Sequence, residues 1–219
     1  GESGDWTLWD TATGRATLRV PAACPFAAVS PNGTLFAAIG RAGAVRMLEL
    51  PSGRELWARR SGRAHITFAR FLPDGSSLLV GRAYGALALL EASTGETQLQ
   101  IHGPVAVSRD GTLASSHGTI GNPRQVVLHH RKSGRWQSKQ LLQPIGGALR
   151  AIAFAPFHPV VAVANDGDEI RVWHLDRPHK MLARFHAPAH ELVFAADGAR
   201  LASVSWTTPD VLIWELKPQ

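Results

Sequence analysis

The chain has 219 residues, of which 45% are hydrophobic and 18% charged, with a formal net charge of +6 at pH 7. A chain of this size can bury a sizeable core, as one large all-β domain or as two smaller domains. Its single cysteine, Cys24, excludes an internal disulfide bond and favours a reducing compartment, so we expect a cytoplasmic protein. No apolar run reaches the roughly 18 residues that suggest a membrane-spanning helix, and the first ten residues lack the regions of a signal peptide.

The positive charge is spread along the chain. Residues 1–110 hold 11 basic and 9 acidic side chains, and residues 111–219 hold 12 and 8. The densest basic stretch is Arg59-Arg60-Ser61-Gly62-Arg63. A nucleic-acid-binding surface is usually a concentrated basic patch, so the net charge by itself is weak support for such a partner.

A short sequence motif recurs along the chain. It first occurs at residues 8–15, where an alternating apolar run ends in Trp9-Asp10 and is followed by a polar turn that ends at a glycine. The glycines that close these turns are spaced by 39, 42 and 39 residues, at Gly14, Gly53, Gly95 and Gly134. A period near 40 residues is typical of repeat architectures in which each repeat is one small sheet.

A second signal marks turns between apolar runs. Asn-Gly or Asp-Gly pairs occur in the segments SPNG, LPDG, SRDG and AADG, which begin at Ser30, Leu72, Ser108 and Ala195. Such pairs favour two-residue turns in which both central residues have positive φ. We therefore expect a β-hairpin at each pair. The fifth repeat has APFHP at 155–159 in this place.

Between these turns each repeat is predicted to form four short strands, which in the third repeat lie at 65–71, 77–81, 86–90 and 98–101. The first strands (FAAV, ITFARF, VAV, AIAFA and ELVFA) are the most apolar. This predicts inner strands that are covered on both faces. The last strands, such as ELWARR and TQLQIH, are polar and variable, as expected of an outer edge. No segment shows sustained helical periodicity.

A four-stranded sheet of about 40 residues cannot bury its own faces, but like sheets that stack radially can bury one another. The chain resembles the WD-repeat β-propeller family over essentially its whole length. The resemblance rests on Trp9-Asp10, Trp173-His174 and Trp214-Glu215, with Leu48-Glu49, Leu90-Glu91 and His129-His130 as degenerate copies. It implies an all-β propeller of four-stranded antiparallel blades, about five plus a partial one, with the Trp position packed between neighbouring sheets.

The resemblance also implies a hydrogen-bonded set of His, Asp, Ser or Thr, and Trp within a blade. His102 and His186 are the candidates for the histidine, although neither follows a glycine as in the family pattern, and Asp166 or Asp168 fills the turn position. We expect this network in one blade at most, so that packing contributes more of the stability. The structural repeat residues predicted on this basis are Trp9, Asp10, Trp173, Trp214, His102, His186 and Asp168.

Matching strands to blades divides the chain into six parts. Residues 1–20 supply the third and fourth strands of a partial blade, and residues 186–219 form a last blade without its outer strand. Four blades lie between them, at 21–60, 61–101, 102–142 and 143–185. We expect the chain to be the C-terminal part of a larger propeller. A five-bladed ring in which residues 16–20 complete the last blade is the alternative.

No motif predicts catalysis. HELVF at 190–194 is half of a zinc-protease HExxH motif, and NDGDE at 165–169 lacks the ligand spacing of a calcium loop. GxSxG, GxGxxG and GxxxxGK motifs are absent from the sequence, and Cys24 has no assignable base. We expect no enzymatic activity, no metal site and no cofactor; a propeller enzyme with a channel metal is an alternative.

Propellers bind through loops at the rims of their blades. The loops from fourth to first strand and from second to third strand are expected on one face, and Arg, Tyr and Trp side chains there commonly dominate interfaces. Of these, Trp206 is the leading candidate, and His117, Asn122 and Asp168 lie in the same loops. The predicted partner-binding residues are Arg41, Arg59, Arg60, Arg63, Arg82, Tyr84, Arg124 and Trp206.

These features predict a non-catalytic interaction, scaffold or sensor module. Its partner is expected to be a protein or another domain of a longer parent chain, bound through the loop face. A nucleic-acid-binding propeller is the second hypothesis, because of the positive net charge and the basic stretch at 59–63; such binding would weaken steeply with added salt.

Overall fold

The computed structural model of the chain describes residues 5–20, 26–40, 43–60, 66–82, 86–117, 125–140, 146–177 and 180–216. Of Arg82, His117 and Gln140 only the backbone is described. The described part consists of β-strands joined by turns, without an α-helix, which confirms the predicted all-β class. No helix in it is long and apolar enough to cross a membrane. The chain divides into two compact units, Gly1–Gln100 and Ile101–Gln219.

The first unit contains three sheets whose strands follow one another in chain order. Strands β1 and β2 form a hairpin, β3 to β6 form a four-stranded antiparallel sheet, and β7 to β9 continue into the start of β10. The strands are β1 Trp6–Asp10, β2 Arg15–Val20, β3 Phe26–Val29, β4 Leu35–Ile39, β5 Ala44–Glu49, β6 Glu55–Arg60, β7 Ile66–Phe71, β8 Ser77–Arg82, β9 Ala86–Glu91 and β10 Thr97–Val107.

The second unit has the same arrangement. The end of β10 pairs with β11, followed by β12 and β13; β14 to β17 form a four-stranded sheet, and β18 to β20 a three-stranded one. The strands are β11 Leu113–His117, β12 Gln125–Lys132, β13 Arg135–Gln140, β14 Leu149–Phe154, β15 Val160–Asn165, β16 Glu169–His174, β17 Met181–His186, β18 Glu191–Phe194, β19 Arg200–Val204 and β20 Val211–Glu215.

The strands predicted for the third repeat are present as β7 to β10. Their starts and ends agree within one residue, except that β10 runs on to Val107. The recurring polar turn is also present: the N–H groups of Gly14, Gly53 and Gly95 each donate to the carbonyl four residues earlier, at 2.8–2.9 Å. Each of these glycines has φ between +65° and +73°, a backbone conformation that glycine adopts without the strain that a Cβ brings.

The hairpins at the Asn-Gly and Asp-Gly pairs are present, but the predicted turn type is wrong. Only the glycines have positive φ, and the N–H of Gly33 donates to the carbonyl of Ser30 at 2.9 Å. The side chain before the glycine instead accepts from the backbone two residues on, as Asp74 Oδ1 does from Ser76 N at 3.0 Å. This side-chain bond stabilises a longer turn, so the two-residue geometry is not used.

The prediction that the first strands are covered on both faces is wrong for β3, β7 and β18. Strands β3, β7 and β18 each expose at least two residues, whereas every residue of β15 is buried and so are four of the five in β4. The reason is position in the sheet. Strands β3, β7, β14 and β18 are edge strands, while β4 and β15 have a neighbour on each side.

Alternate residues of the second strands pack against two different sheets. In β4, Ala37 and Ile39 lie in a cluster with β7 to β9, while Phe36 and Ala38 face the β1–β2 hairpin. Strand β15 shows the same alternation. Its Val161 and Val163 pack with residues of β11 and β12, and its Ala162 and Ala164 pack with residues of β18 and β19. Within each unit, consecutive sheets therefore pack face to face in chain order.

A pair of glycine substitutions tests this packing. A Cβ on Gly95 would lie 2.8 Å from the indole of Trp57, which is held by a 2.8 Å bond from its Nε1 to the Ala92 carbonyl. A Cβ on Gly33, at nearly the same φ, would meet nothing within 4 Å. We expect Gly33→Ala to lower the free energy of unfolding by about 1 kcal/mol and Gly95→Ala by about 2–4 kcal/mol, measured by urea denaturation. Equal losses would contradict the placement of Trp57.

Candidate functional site

The Trp-Asp positions of the repeats lie on the third strands. Their first residues stand opposite an apolar residue of the second strand, as Trp173 does opposite Val161 and His129 opposite Leu113. In four of these third-strand positions the residue is at most 5% exposed: Leu48, Leu90, His129 and Trp173. Trp9 differs, because its side chain is 62% exposed. It lies on the opposite side of β1 from Trp6 and Leu8, which pack against a core cluster. Packing between sheets is therefore confirmed for Trp173 and wrong for Trp9.

One link of the expected polar network is present. Trp214 Nε1 donates to Ser203 Oγ at 3.0 Å. His129 occupies the corresponding place in another sheet, and its Nε2 lies 2.8 Å from Ser115 Oγ. The strand register explains why the two hydrogen bonds correspond. Ser115 lies two residues after Leu113, which faces His129. Ser203 lies two residues after Leu201, which faces Trp214. A buried imidazole thus replaces an indole and keeps the bond to serine.

The other predicted network members are placed differently. The side chain of His102 is exposed, and His186 stands opposite Glu169 in the β16–β17 pair. Among the described residues, neither histidine hydrogen-bonds to Trp173 or Trp214. Asp10 accepts from the backbone N–H groups of Ala12 and Thr13, both at 2.8 Å, and these bonds, led by that from Thr13, hold the pKa of its carboxyl below the ordinary value. Its role is to close the turn.

The polar centre of the β14–β17 sheet is Glu169, which the sequence did not single out. Its side chain is 8% exposed and pairs with Arg171 at 2.8 Å and with Arg184. The pKa of this carboxyl is held below its ordinary value, chiefly by the hydrogen bond from Arg171. The charges of Arg171, Arg184 and His186 also lower the pKa, whereas burial acts in the opposite direction. Glu169 therefore stays ionised and ties β16 to β17.

Most of the predicted partner-binding residues fall where the structure describes no side chain. Arg41, Arg63, Tyr84, Arg124 and Asn122 lie outside the described residues, and the side chain of Arg82 does too. The guanidinium of Arg59 donates to the carbonyl of Gly95, so it fixes a turn within the first unit. Arg60 ends β6 with an exposed side chain.

Asp168, by contrast, lines a pocket of the second unit, and Trp206 stacks on another of its lining residues, His190. The pocket has a volume of about 160 Å³ and is formed by the start of β14 and the β15–β16, β17–β18 and β19–β20 loops. The β15–β16 and β19–β20 loops each join a second strand to a third, and the β17–β18 loop joins a fourth strand to a first. In this unit the two kinds of loop lie on one face, as the sequence predicts. The lining residues are Arg150, Asn165, Asp166, Asp168, Pro188, Ala189, His190 and Thr207.

The floor of the pocket is fixed by hydrogen bonds. Asn165 is buried, donates from Nδ2 to the Gly146 carbonyl at 2.5 Å, and accepts at Oδ1 from the N–H groups of Gly167 and Glu169. Asp166 Oδ1 accepts from Ala148 N at 2.7 Å. These bonds hold the backbone of the β15–β16 turn, which carries Asp166 and Asp168, and fix the Asp166 carboxylate through Ala148 N.

Trp206 lies next to the pocket, between Ser205 and the lining residue Thr207. Its indole stacks on the imidazole of His190 with ring centroids 4.7 Å apart and planes 13° from parallel. The backbone N–H of Trp206 donates to His190 Nδ1 at 3.3 Å, and Ser205 Oγ lies 3.4 Å from the same nitrogen and bonds to Thr207. Although the side chain is 79% exposed, these contacts place it.

A second exposed aromatic side chain lies at the opposite end of β15. Phe157, in the β14–β15 loop, is 64% exposed, and the guanidinium carbon of Arg109 lies 4.9 Å from its ring centroid. It is not one of the residues that line the pocket described above. Phe157 is therefore a matched control for Trp206 in binding experiments.

No family model matches the chain, and a search of curated proteins finds no match either. Among the described residues, no group of three or more His, Cys, Asp or Glu side chains is arranged to hold a metal ion.

The sequence does not predict the contact of Trp206 with His190, because His190 stands out there only as part of an incomplete zinc motif. No motif marks the pocket residues Arg150 and Thr207 either. Their positions in the repeats are a usable signal: His190 directly precedes a first strand, Arg150 is the second residue of a first strand, and Thr207 follows a second strand by three residues. Such positions in neighbouring repeats lie at the same edge of the sheets.

The ion pairs of Glu169 give a pH-dependent test. Its pKa is lower in the folded state, so its stabilisation is present above the ordinary value of 4.5 and is lost as the pH falls below it. We expect Glu169→Gln to lower the free energy of unfolding by about 1–3 kcal/mol at pH 7, with the difference from wild type shrinking by pH 3.5, in urea denaturation at both values. The exposed Glu191→Gln is the control, expected within about 0.5 kcal/mol of wild type. A Glu169→Gln deficit as large at pH 3.5 as at pH 7 would contradict this role.

Proposed function

We propose that the chain is a WD-repeat-like β-propeller segment that serves as a non-catalytic protein-interaction module. It binds a protein partner through the loop edge that carries Trp206 and the adjacent pocket. The observation that carries this proposal is the state of Trp206: its indole is largely exposed to solvent, yet it is held by the stack on His190 and by its backbone hydrogen bond.

An exposed but fixed tryptophan suits recognition for two reasons. Tryptophan is among the residues that contribute most to binding at protein interfaces. A side chain held in place before binding loses less conformational freedom when a partner covers it, so more of the contact energy appears as affinity. A large apolar ring left in water has no comparable benefit for folding.

The size of the pocket favours a protein partner over a small-molecule ligand. Sites for drug-sized ligands and cofactors usually have volumes of about 300–1,000 Å³, and this pocket has about 160 Å³. That volume is suited to one amino-acid side chain inserted beside Trp206. The partner would thus present an anchoring residue to the pocket and lay neighbouring residues over the indole.

The propeller part of the proposal is supported by the repeated packing. Runs of up to four antiparallel strands recur about every 40 residues, and strands β4 and β15 are buried on both faces by the strands of the repeats before and after them. Radial stacking of such sheets is the arrangement in which every sheet finds two neighbours.

Selection of peptides from a random-sequence phage-display library tests the function. We expect peptides enriched on the wild-type chain to bind Trp206→Ala about 30-fold more weakly, the loss of a typical interface hot spot. The same peptides should bind Phe157→Ala within about twofold of wild type, since Phe157 lies at the other end of β15. Binding is measured by fluorescence polarisation of the labelled peptides.

Two results would contradict the proposal. One is enrichment of peptides that bind wild type and Trp206→Ala equally. The other is failure to enrich any peptide on a chain whose circular dichroism shows a folded β-protein.

A further inference from the structure

The sheet formed by β18, β19 and β20 has an unpaired edge at β20. Each of the other third strands, β1, β5, β9, β12 and β16, pairs with the strand that follows it, whereas β20 pairs only with β19 among the described residues. The apolar residues of this edge are open to solvent, with exposed fractions of 60% for Val211, 39% for Leu212 and 68% for Ile213. An apolar edge of this kind is a template for pairing with another strand.

The chain itself shows what kind of neighbour such an edge takes. When β20 is matched to β16 at Trp214 and Trp173, Ile213 takes the position of Val172. Val172 is fully buried and stands opposite Ala183 of the antiparallel fourth strand β17. Strands β5 and β12 also carry an antiparallel fourth strand. The neighbour that suits β20 is therefore an antiparallel β-strand.

Strand β20 has backbone hydrogen-bonding groups to offer such a strand. Leu216 N donates to the Ala199 carbonyl at 2.7 Å, and along an antiparallel strand the residues that bond to one neighbour alternate. The even-numbered residues of β20 therefore bond to β19, while the N–H and C=O groups of Val211, Ile213 and Glu215 point away from it. The register between β19 and β20 is regular over the whole strand, so these outward groups form one uninterrupted row.

This edge is complementary to a second copy of itself. In an antiparallel pair centred on Ile213, that residue lies opposite the partner's Ile213 and Val211 lies opposite the partner's Glu215, so outward backbone groups meet outward backbone groups. Leu212 lies opposite the partner's Trp214. Glu215 is the only charged residue of β20, so no like charges meet, and the apolar pairs add cross-strand contacts.

We propose that two copies of the chain associate through β20, paired antiparallel about a two-fold axis at Ile213. The two three-stranded sheets then form one sheet of six strands. On its outward face the row of Val193, Ala202 and Ile213 continues into the same row of the other copy. This inference goes beyond the proposed function and does not depend on it. One short strand from each copy buries less area than a stable dimer interface, so monomer and dimer exchange with concentration.

An exchange of charge at Ile213 tests this pairing, because Ile213 is the residue of β20 that faces its own copy. Association is measured by sedimentation equilibrium at chain concentrations up to about 1 mM. We expect wild type to dimerise reversibly, and Ile213→Lys and Ile213→Glu each to dimerise about tenfold more weakly, since like charges then lie directly opposite. An equimolar mixture of the two variants should regain dimers, because lysine then faces glutamate. Ile213 is largely exposed, so both variants keep the core intact, which circular dichroism checks.

Val193→Lys is the matched control. Val193 is 61% exposed on the same face of the sheet, but it lies on β18, two strands from the edge. The dimerisation constant of this variant should stay within about twofold of wild type.

Amide hydrogen exchange of the unaltered chain gives a second measurement that needs no variant. The amides of Val211, Ile213 and Glu215 should exchange more slowly as the chain concentration rises, because pairing with the second copy covers them. The amides of Leu212 and Trp214, which already bond to β19, should change much less.

Four results would overturn the inference. The first is a chain that is monomeric at every concentration. The second is equal weakening by Val193→Lys, which would indicate packing of the two sheet faces. The third is a mixture of the Ile213 variants that regains no dimers, or single variants that dimerise as wild type does. The fourth is a monomeric chain whose outward β20 amides become protected when display-selected peptides are added, which would assign the edge to a strand of another protein.

Discussion

The fold depends on strands whose side chains are buried on both faces. Each sheet that contains such a strand needs a covering layer on either side, and in both units the covering layer is another sheet of the same kind. Valine and alanine fill every position of β15 before Asn165, so neither face of that strand could meet water without a large loss of hydrophobic stabilisation. A chain built this way has no free sheet face for function at these strands.

The partner binding that we propose is therefore placed at the ends of the strands. The second-to-third and fourth-to-first loops of neighbouring sheets converge on one edge, where β15–β16, β17–β18 and β19–β20 surround a single pocket. The packed sheets make this edge rigid, while the loops are free to vary in sequence. Trp206 and Asp168 both lie in such loops. The exposed indole is held by a histidine from a neighbouring loop, so the binding proposed for this edge depends on side chains from two separate loops.

The sequence predicts the features set by local chemistry. Glycines at turns of positive φ and apolar runs of five or six residues depend only on near neighbours, so the third-repeat strands and the hairpins are found where expected. The sequence does not predict features that depend on how neighbouring sheets and loops pack. The apolar first strands look the most buried in the sequence, yet they lie at sheet edges. The stack of Trp206 on His190 joins residues 16 positions apart across two loops, and no local pattern reports it.

The most direct test of the account is the mobility of the Trp206 side chain in the free protein. The ¹⁵N relaxation of its indole N–H can be compared with that of the buried Trp173. The account predicts similar order parameters, near the value of about 0.85 of rigid groups, and a clear fall for Trp206 alone in His190→Ala. An order parameter below about 0.6 for Trp206 in the unaltered chain would mean that the indole is not held in place, and would contradict the claim that this edge is prepared for a partner.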